Sequence, residues 1–537
     1  MKTLNLLKQY GFKCLAYRYL ESKDTAARSA AYQQNIRHFL PTEEELQQQK
    51  DIHFEYAPKY SIVVPAYETK KVFLEELVDS VLAQSYPNFE LIIADGSETD
   101  IVRKTLSRYD DSRIVYLKLE KNTGISGNTN EGFTHTTGEY VALLDHDDTL
   151  TPNALFEMTR MLNELSPRPD MIYSDEDKLN QATGLYTDPS FKPDYNEYFL
   201  RHVNYICHFL IYSKELLDKV GGLDATYDGA QDHEFILRCA AYGARIAHIP
   251  KILYHWRIHP DSTAGDPNSK LYAFHNGTRA IEKYLSSVGD PGKVSLTRDL
   301  GIYHIHYDLD GRLKPTKLLI LGENEKHLAR LRKAISTEDS MSNLEITFKI
   351  SDTALSSEEV SRFDYVLSAR KDAVPTSSGW LTELLSDVIN HNVGMVSAKY
   401  VHNHRILCCG GMYVGPRQTS DMPAGSVIPL YSGLNENFHG YSHRAVDVTT
   451  NISLDPMYFS VMPAEVFLHL QAIKDPYQLC LTLNRDGRYV LVNSQVTAQV
   501  NALDIPSQLS SEAQSLMRDY DPYYSPYIDT KKGQFLL

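Results

Sequence analysis

At 537 residues the chain exceeds the usual span of one domain, so two or more are expected. Its 54 Lys+Arg against 69 Asp+Glu give a formal charge of −15, which argues against a general nucleic-acid binder. With 42% apolar and 23% charged residues, a disordered or fibrous chain is excluded.

No apolar run approaches the ~18–20 residues that span a bilayer. Lys2, Lys8, Lys13 and Arg18 break the first twenty residues, so no secretory signal is read there. Cys14, Cys207, Cys239, Cys408, Cys409 and Cys480 form no CxxC pair and read as reduced cytosolic thiols.

The first forty residues carry seven Lys/Arg and two acids. Leu4, Leu7, Phe12, Leu15, Tyr19 and Leu20 recur at roughly helical spacing. Residues 1–57 are therefore taken as a basic helical segment. Packing on the main domain and contact with anionic lipid are both open readings of it.

From Tyr60 onward strands and helices alternate. Ser61–Pro65 is an apolar strand stopped by proline, and Leu74–Ala83 an amphipathic helix. Phe89–Ala94 and Arg113–Leu119 are further strands, and Gly127–His135 starts a helix. Tyr140–Leu144 is a fourth strand, followed by a helix over Pro152–Leu165. The alternation predicts an α/β fold with a mainly parallel sheet flanked by helices. A second α/β pattern runs from about Lys317 to Val500, with a polar boundary near 300–316.

Polar clusters fall at the carboxyl ends of the strands, where ligands sit in such sheets. They are Pro65-Ala66-Tyr67-Glu68, Asp95-Gly96-Ser97, Asn122–Gly127 and Asp145-His146-Asp147-Asp148. Thr151-Pro152 already supplies a helix start, so the three aspartates are not required as caps. Carboxylates so close repel unless solvent or a cation relieves them, and oxygen ligands at this spacing suit Mn²⁺ or Mg²⁺. A solvated turn is the plain alternative.

In this order the clusters resemble family 2 glycosyltransferases of the GT-A fold. The resemblance continues through Ser174-Asp175-Glu176-Asp177-Lys178, Phe191-Lys192-Pro193-Asp194, Gly221–Asp224, Gln231–Phe235 and His255–His259, covering roughly residues 58–290. It is closest in kind to bacterial enzymes that build O-antigen, capsule or rhamnose-rich wall polysaccharides. The resemblance implies that Pro65, Ala66, Tyr67, Glu68 and Asp95 hold the nucleotide, with Gly124, Asn128 and His146 in the same site. It assigns Asp145 and Asp147 to the ribose and the metal–diphosphate. Many relatives have two aspartates before the Gly-Ser; here Ala94 precedes Asp95.

Asp232 matches the family's general base, with an N-cap role as the alternative. Arg257 resembles the basic residue near the leaving diphosphate, and His259 a further metal ligand. Asp175 and Glu176 are assigned to the sugar, with a solvated loop as the alternative. His208 reads as a core histidine or a residue on the acceptor side.

Residues 316–537 resemble a second, degenerate glycosyltransferase domain through Trp380–Leu384, Gly394–Lys399 and Asp521–Tyr524. Arg370 and Lys371 stand where acids are expected, and Tyr477-Gln478 where the base is expected. An amide cannot accept the proton.

The resemblance as a whole implies an inverting, metal-dependent transferase with its catalytic domain at 58–305. A UDP-, dTDP- or GDP-linked sugar is the donor and a lipid-linked glycan the acceptor. The location implied is cytoplasmic, at the inner face of the membrane, with self-association left open. The rivals are a glycan- or partner-binding scaffold and a sugar nucleotidyltransferase. The nucleotidyltransferase would open with a Gly-rich basic loop that Pro65–Glu68 is not.

Overall fold

The computed structural model describes residues 30, 32–259, 271–313, 315–336, 338, 343–351, 355–415, 422–439, 444–524, 528–529 and 534–535. The basic segment 1–29, and with it the lipid-contact reading, lies outside the described residues. Just after it, Glu43–Lys50 forms a helix fixed by a capping box between Thr42 and Glu45. No helix among the described residues is long and apolar enough to cross a membrane.

The chain forms two compact units. Among the described residues, the first holds those from Ala30 to Tyr195 together with Asn204–Tyr284, and the second holds Asn196–Val203 and those from Leu285 onward. Packing order is therefore not chain order.

In the first unit the strands are β1 (Tyr60–Ala66), β2 (Phe89–Asp95), β3 (Ile114–Lys118), β4 (Tyr140–Leu143), β5 (Thr149–Leu150), β6 (Met171–Asn180), β7 (Leu185–Ser190), β8 (Leu210–Ser213) and β9 (Ile246–Ile258). They lie in the order β3-β2-β1-β4-β8-β6-β9-β5, with β7 on β6. The four strands from β3 to β4 run parallel. β8 is antiparallel to both of its neighbours, and β6 and β9 are parallel. The sheet is thus mixed, where the strand–helix alternation predicts a mainly parallel one. The reason is β8, which inserts between β4 and β6 against the common direction.

β1 and β2 are buried along their whole length, as strands covered on both faces must be. Helix α1 (Lys71–Leu82) covers one face with Phe73, Leu74, Leu77, Val78 and Val81, spaced to form one apolar stripe. Helix α3 (Ala154–Glu164) adds Leu155, Met158 and Leu162 to the same core. Helix α2 (Gly124–Phe133) lies on the other face. There Gly132 leaves room for Val63, since a Cβ at position 132 would sit 2.5 Å from the Val63 Cγ1.

The second unit is built around strands in the order Leu344–Ile350, Thr316–Gly322, Tyr365–Ala369, Phe459–Pro463, Val393–His402, Tyr489–Gln499, Val374–Pro375. Their directions reproduce the path β2-β1-β4-β8-β6-β9-β5 pair by pair, including the antiparallel strand in the middle. Even the short strand hung on β6 has its counterpart in Arg405–Cys408. The second α/β sheet is the first one without its edge strand β3 and with an added strand, Thr449–Asn451, antiparallel to Tyr489–Gln499.

Candidate active site

Three loops meet beyond the carboxyl ends of β1, β2 and β3. Gly96 N donates to the Ala66 carbonyl at 2.9 Å, and Glu68 N donates to Ser97 Oγ at 2.8 Å. The Glu68 carboxylate accepts from Glu98 N at 2.7 Å and from Thr99 N at 2.9 Å. Buried Asn128 accepts from Thr123 N at 3.0 Å and donates to Asn122 Oδ1 at 2.9 Å, fixing the turn into α2. Gly96 has to be glycine here, because a Cβ would come within 2.8 Å of Asn128 Nδ2.

These loops and the acidic loop after β4 enclose a cleft of about 530 Å³. Pro65, Tyr67, Glu68, Gly124, Asn128, Asp145, His146, Asp147 and His259 of the expected site line it. Lys70 and Phe73 line it as well, and the sequence reading missed both. The signal for them was available: they open α1 directly after the Pro65–Glu68 loop. Ala66 is buried beside this wall and takes part through its carbonyl.

Asp95 lies fully buried beneath the loops. Its carboxylate accepts from Ser97 N and from Tyr116 OH, each at 2.8 Å, and Lys118 Nζ stands at 3.4 Å. In this structure it organises the wall and is not among the cleft-lining residues.

The three aspartates of the acidic loop have three different environments. Asp148 is buried and accepts from Arg257 N at 2.6 Å and from Tyr254 OH. Burial, with the charges of Asp145 and Asp147, pushes its carboxyl well above the usual range. Asp145 faces the cleft, 4.0 Å from His208 Nε2. Its carboxyl is raised, chiefly by partial desolvation within the cleft and further by the charges of Asp147 and Asp232, against His208. Asp147 Oδ2 lies 2.9 Å from His259 Nε2. Two adjacent ligands of a small octahedral dication at ~2.1 Å are about 3 Å apart, so this pair fits Mn²⁺ or Mg²⁺. His146 Nδ1 meets Thr69 Oγ1 at 3.0 Å.

Arg257 does not reach the cleft. Its guanidinium is buried behind the acidic loop, bonding the Asp147 carbonyl and Gln181, with Glu76 Oε2 at 2.6 Å and the Phe73 ring beneath it. It braces the loop, and the expected diphosphate contact is replaced by that role.

Asp232 is the second residue of helix α4 (Gln231–Tyr242), whose N-cap is Ala230, so it does not cap the helix. Its Oδ2 accepts from Asn204 Nδ2 at 2.8 Å and from Cys207 Sγ at 3.7 Å. Asp232 is close enough to Asp145 for its charge to raise the Asp145 carboxyl.

The second acidic run is not a solvated loop. It is part of β6, and two successive register shifts against β9 turn its side chains inward. Asp175 is fully buried, accepting from Lys192 N at 2.8 Å and meeting His248 Nε2 at 2.9 Å. Burial opposes charge on His248, but Asp175 and Asp194 outweigh it and raise the imidazole. Asp177 receives Tyr32 OH at 2.7 Å and His255 Nδ1 at 2.5 Å. Glu176 pairs with the buried Lys192 ammonium at 3.1 Å. That ammonium also donates to the carbonyls of Ile206, at 2.7 Å, and His208. Asp175 and Glu176 therefore hold the segment that carries Asn204, Cys207 and His208. His208 is only partly buried and stacks on Tyr254 at the acidic loop, so the core-histidine reading does not hold.

In the second unit the loop after Tyr365–Ala369 occupies the topological place of the acidic loop. There Lys371 pairs with Asp504 at 2.6 Å. The helix Pro476–Arg485 takes the place of α4, with Tyr477 at the position of Asp232. The preceding Asp475 is consumed as the cap, accepting from Tyr477 N and Gln478 N, and also receives Ser510 Oγ.

Residues 61–221 match the family described as glycosyl transferase family 2. Among curated proteins, the uncharacterized protein y4gI of Sinorhizobium fredii (strain NBRC 101917 / NGR234) is 39% identical over 234 residues, 43% of this chain and 26% of its own length. The O-antigen biosynthesis protein RfbC of Myxococcus xanthus is 26% identical over 530 residues, 88% of this chain and 40% of its own length. The chain thus spans less than half of either relative. Among solved structures, S. aureus TarS 1-349 in complex with UDP aligns with a TM-score of 0.34 at 22% identity, over 42% of this chain and 65% of that one.

Proposed function

Because residues 61–221 form a glycosyl transferase family 2 domain, we propose that this chain moves a sugar from a nucleotide-diphospho-sugar to a hydroxyl of a polysaccharide precursor. RfbC, similar over most of this chain and named for O-antigen biosynthesis, supports that acceptor class. The observation that carries the reading is the pairing of two chemistries at one group of strand ends. A donor-sized cleft holds the Asp147–His259 pair, and a carboxylate held by Asn204, that of Asp232, couples electrostatically to the same loop.

In this reading the Pro65–Glu68 and Asn122–Asn128 loops grip the nucleotide. Asp147 and His259 would hold Mn²⁺ or Mg²⁺, which would offset the charge developing on the leaving diphosphate. Asp232, oriented by Asn204, takes the proton of the acceptor hydroxyl. The oxygen attacks the anomeric carbon opposite the diphosphate, the C1–O bond to the diphosphate breaks, and the centre inverts in one displacement. The acceptor is a lipid-linked glycan met at the cytoplasmic face of the membrane. The second unit is a non-catalytic copy, supported by Lys371 and Tyr477 at the places of the acidic loop and the base.

The test is a melting-temperature screen of UDP-, dTDP- and GDP-sugars with and without Mn²⁺, on the wild type and on Asp147→Ala, followed by product analysis with a glycan acceptor. A metal-dependent stabilisation by one nucleotide-sugar, lost in Asp147→Ala, with an inverted product, is expected. No stabilisation and no product with any of them would replace this reading with a binding scaffold.

A further inference from the structure

The second unit carries a side-chain cluster that the transferase reading does not use. Strands Gly292–Leu296 and Tyr303–Tyr307 form an antiparallel hairpin with Ser295 opposite His304 and Lys293 opposite His306. Strand alternation buries Tyr303, Ile305 and Tyr307 on one face and turns His304 and His306 to the other. The two imidazoles face each other with ring centroids 4.2 Å apart. From the helix Trp380–Val388, Glu383 places Oε1 3.2 Å from His304 Nε2. One donor atom from each of the three residues lies within 4.8 Å of the other two.

A simple ion pair accounts for one histidine against one glutamate. It gives no reason for a second imidazole to share the same face, with its ring within contact distance of the first. The outer contacts are of the kind that orient metal ligands: Ser295 Oγ lies 3.0 Å from His306 Nε2, and Asn493 Nδ2 lies 3.5 Å from Glu383 Oε2. With Nε2 of His306 so engaged, its Nδ1 is the other available donor atom. Two imidazoles and one carboxylate form a borderline-soft N₂O set, suited to Zn²⁺ or Co²⁺ over Mg²⁺ or Ca²⁺, which prefer all-oxygen shells.

We propose that His304, His306 and Glu383 form a transition-metal site of the zinc class that clasps the Gly292–Tyr307 hairpin to the helix Trp380–Val388 within the second unit. Water or an acceptor group completes the coordination. The role assigned to the site is structural, because its ligands come from the two elements it ties together.

The full chain carrying Asp147→Ala, which removes the first unit's candidate metal pair, is stripped with chelator and titrated with Zn²⁺ alone and with Co²⁺ alone. His306→Gln is added as the primary variant because His306 is exposed and its loss leaves the hairpin core intact; His304→Gln is the second. One equivalent of Zn²⁺ lost, or held at least about tenfold more weakly, in His306→Gln with unchanged circular dichroism supports the site. So does a visible Co²⁺ ligand-field band that disappears in either variant and survives excess Mg²⁺. Equal stoichiometry and affinity in the parent and His306→Gln, or a Co²⁺ spectrum identical in both, overturns it.

Discussion

Asn204 holds Asp232 by one carboxylate oxygen, at 2.8 Å, and leaves the other oxygen without a contact to that amide. A base held in this way keeps its direction while the remaining oxygen stays available to an acceptor. Asp232→Asn removes the base without removing the helix start, because Asp232 caps nothing. The expected result is a fall in kcat of about 10²–10⁴ with nucleotide-sugar affinity unchanged. Asn204→Ala should lower kcat less. Steady-state kinetics beside a direct donor-binding titration separates the two effects, and a loss of donor binding in Asp232→Asn would contradict the assignment.

Lys192 is a buried cation serving Glu176 and two carbonyls. Lys192→Met leaves Glu176 without its cation and both carbonyls short of a donor. The first unit should lose about 3–5 kcal/mol, the usual consequence of removing one member of a buried pair. Chemical denaturation followed by fluorescence reads this, and a loss under about 1 kcal/mol would mean that water replaces the ammonium easily.

Gly124 has φ +82°, and a Cβ there would stand 2.9 Å from Asp228 Oδ2. Asp228 is itself held by Ser126 Oγ at 2.5 Å. Gly124→Ala should therefore distort the Asn122–Asn128 loop locally, costing about 1 kcal/mol in stability. A rise in the donor KM with kcat nearly preserved is the expected kinetic signature.

Asp455 and Asp521 are among the buried carboxyls that set a pH dependence for the second unit. Burial raises Asp455 and Asp521 to about 6 each, although each accepts several hydrogen bonds. The unfolded carboxyl titrates near the ordinary 3.8. Between these values the folded state binds more protons than the unfolded state. Stability is then greatest below about pH 4 for these groups and is lost as pH rises through about 6. Asp455→Asn keeps the acceptor for Met457 N and Tyr400 OH and can donate to Ser397 Oγ. Melting curves from pH 4 to 7 should show a shallower decline in Asp455→Asn than in the parent, and parallel declines would refute the assignment.

The cleft was legible in the sequence because its walls interrupt apolar strands with polar and glycine residues at fixed places. Pro65, Asn128 and Asp147 stand out beside strands whose residues are mostly apolar. The run from Asp175 to Asp177 misled for the opposite reason. Each acid is neutralised by a partner remote in sequence: His248 for Asp175, Lys192 for Glu176, Tyr32 and His255 for Asp177. Local charge alone reads such a run as solvated. Arg257, which the family resemblance places near the diphosphate, is held instead by Glu76 and Gln181, far from it in the chain. The antiparallel course of β8 was also hidden, because strand direction leaves no mark in hydrophobic pattern. The repeat between the units is clearer in strand order than in sequence, where Arg370, Lys371 and Tyr477 have erased the motifs.

The helix Glu197–His202 is made early and completed late. Asn196, at its cap, bonds Thr450 across 254 residues and the Asn451 carbonyl, and Tyr198 N donates to Asn451 Oδ1. At a ribosomal pace of about 5–20 residues per second, that partner emerges on the order of ten to fifty seconds after the helix. Through that interval Tyr198, fully buried in the finished unit, has no core to enter. The first unit can close around its own cleft while this apolar turn waits in the open. Nascent chains stalled before residue 450 should therefore engage chaperones at this turn, and a ribosome pausing there would prolong the wait.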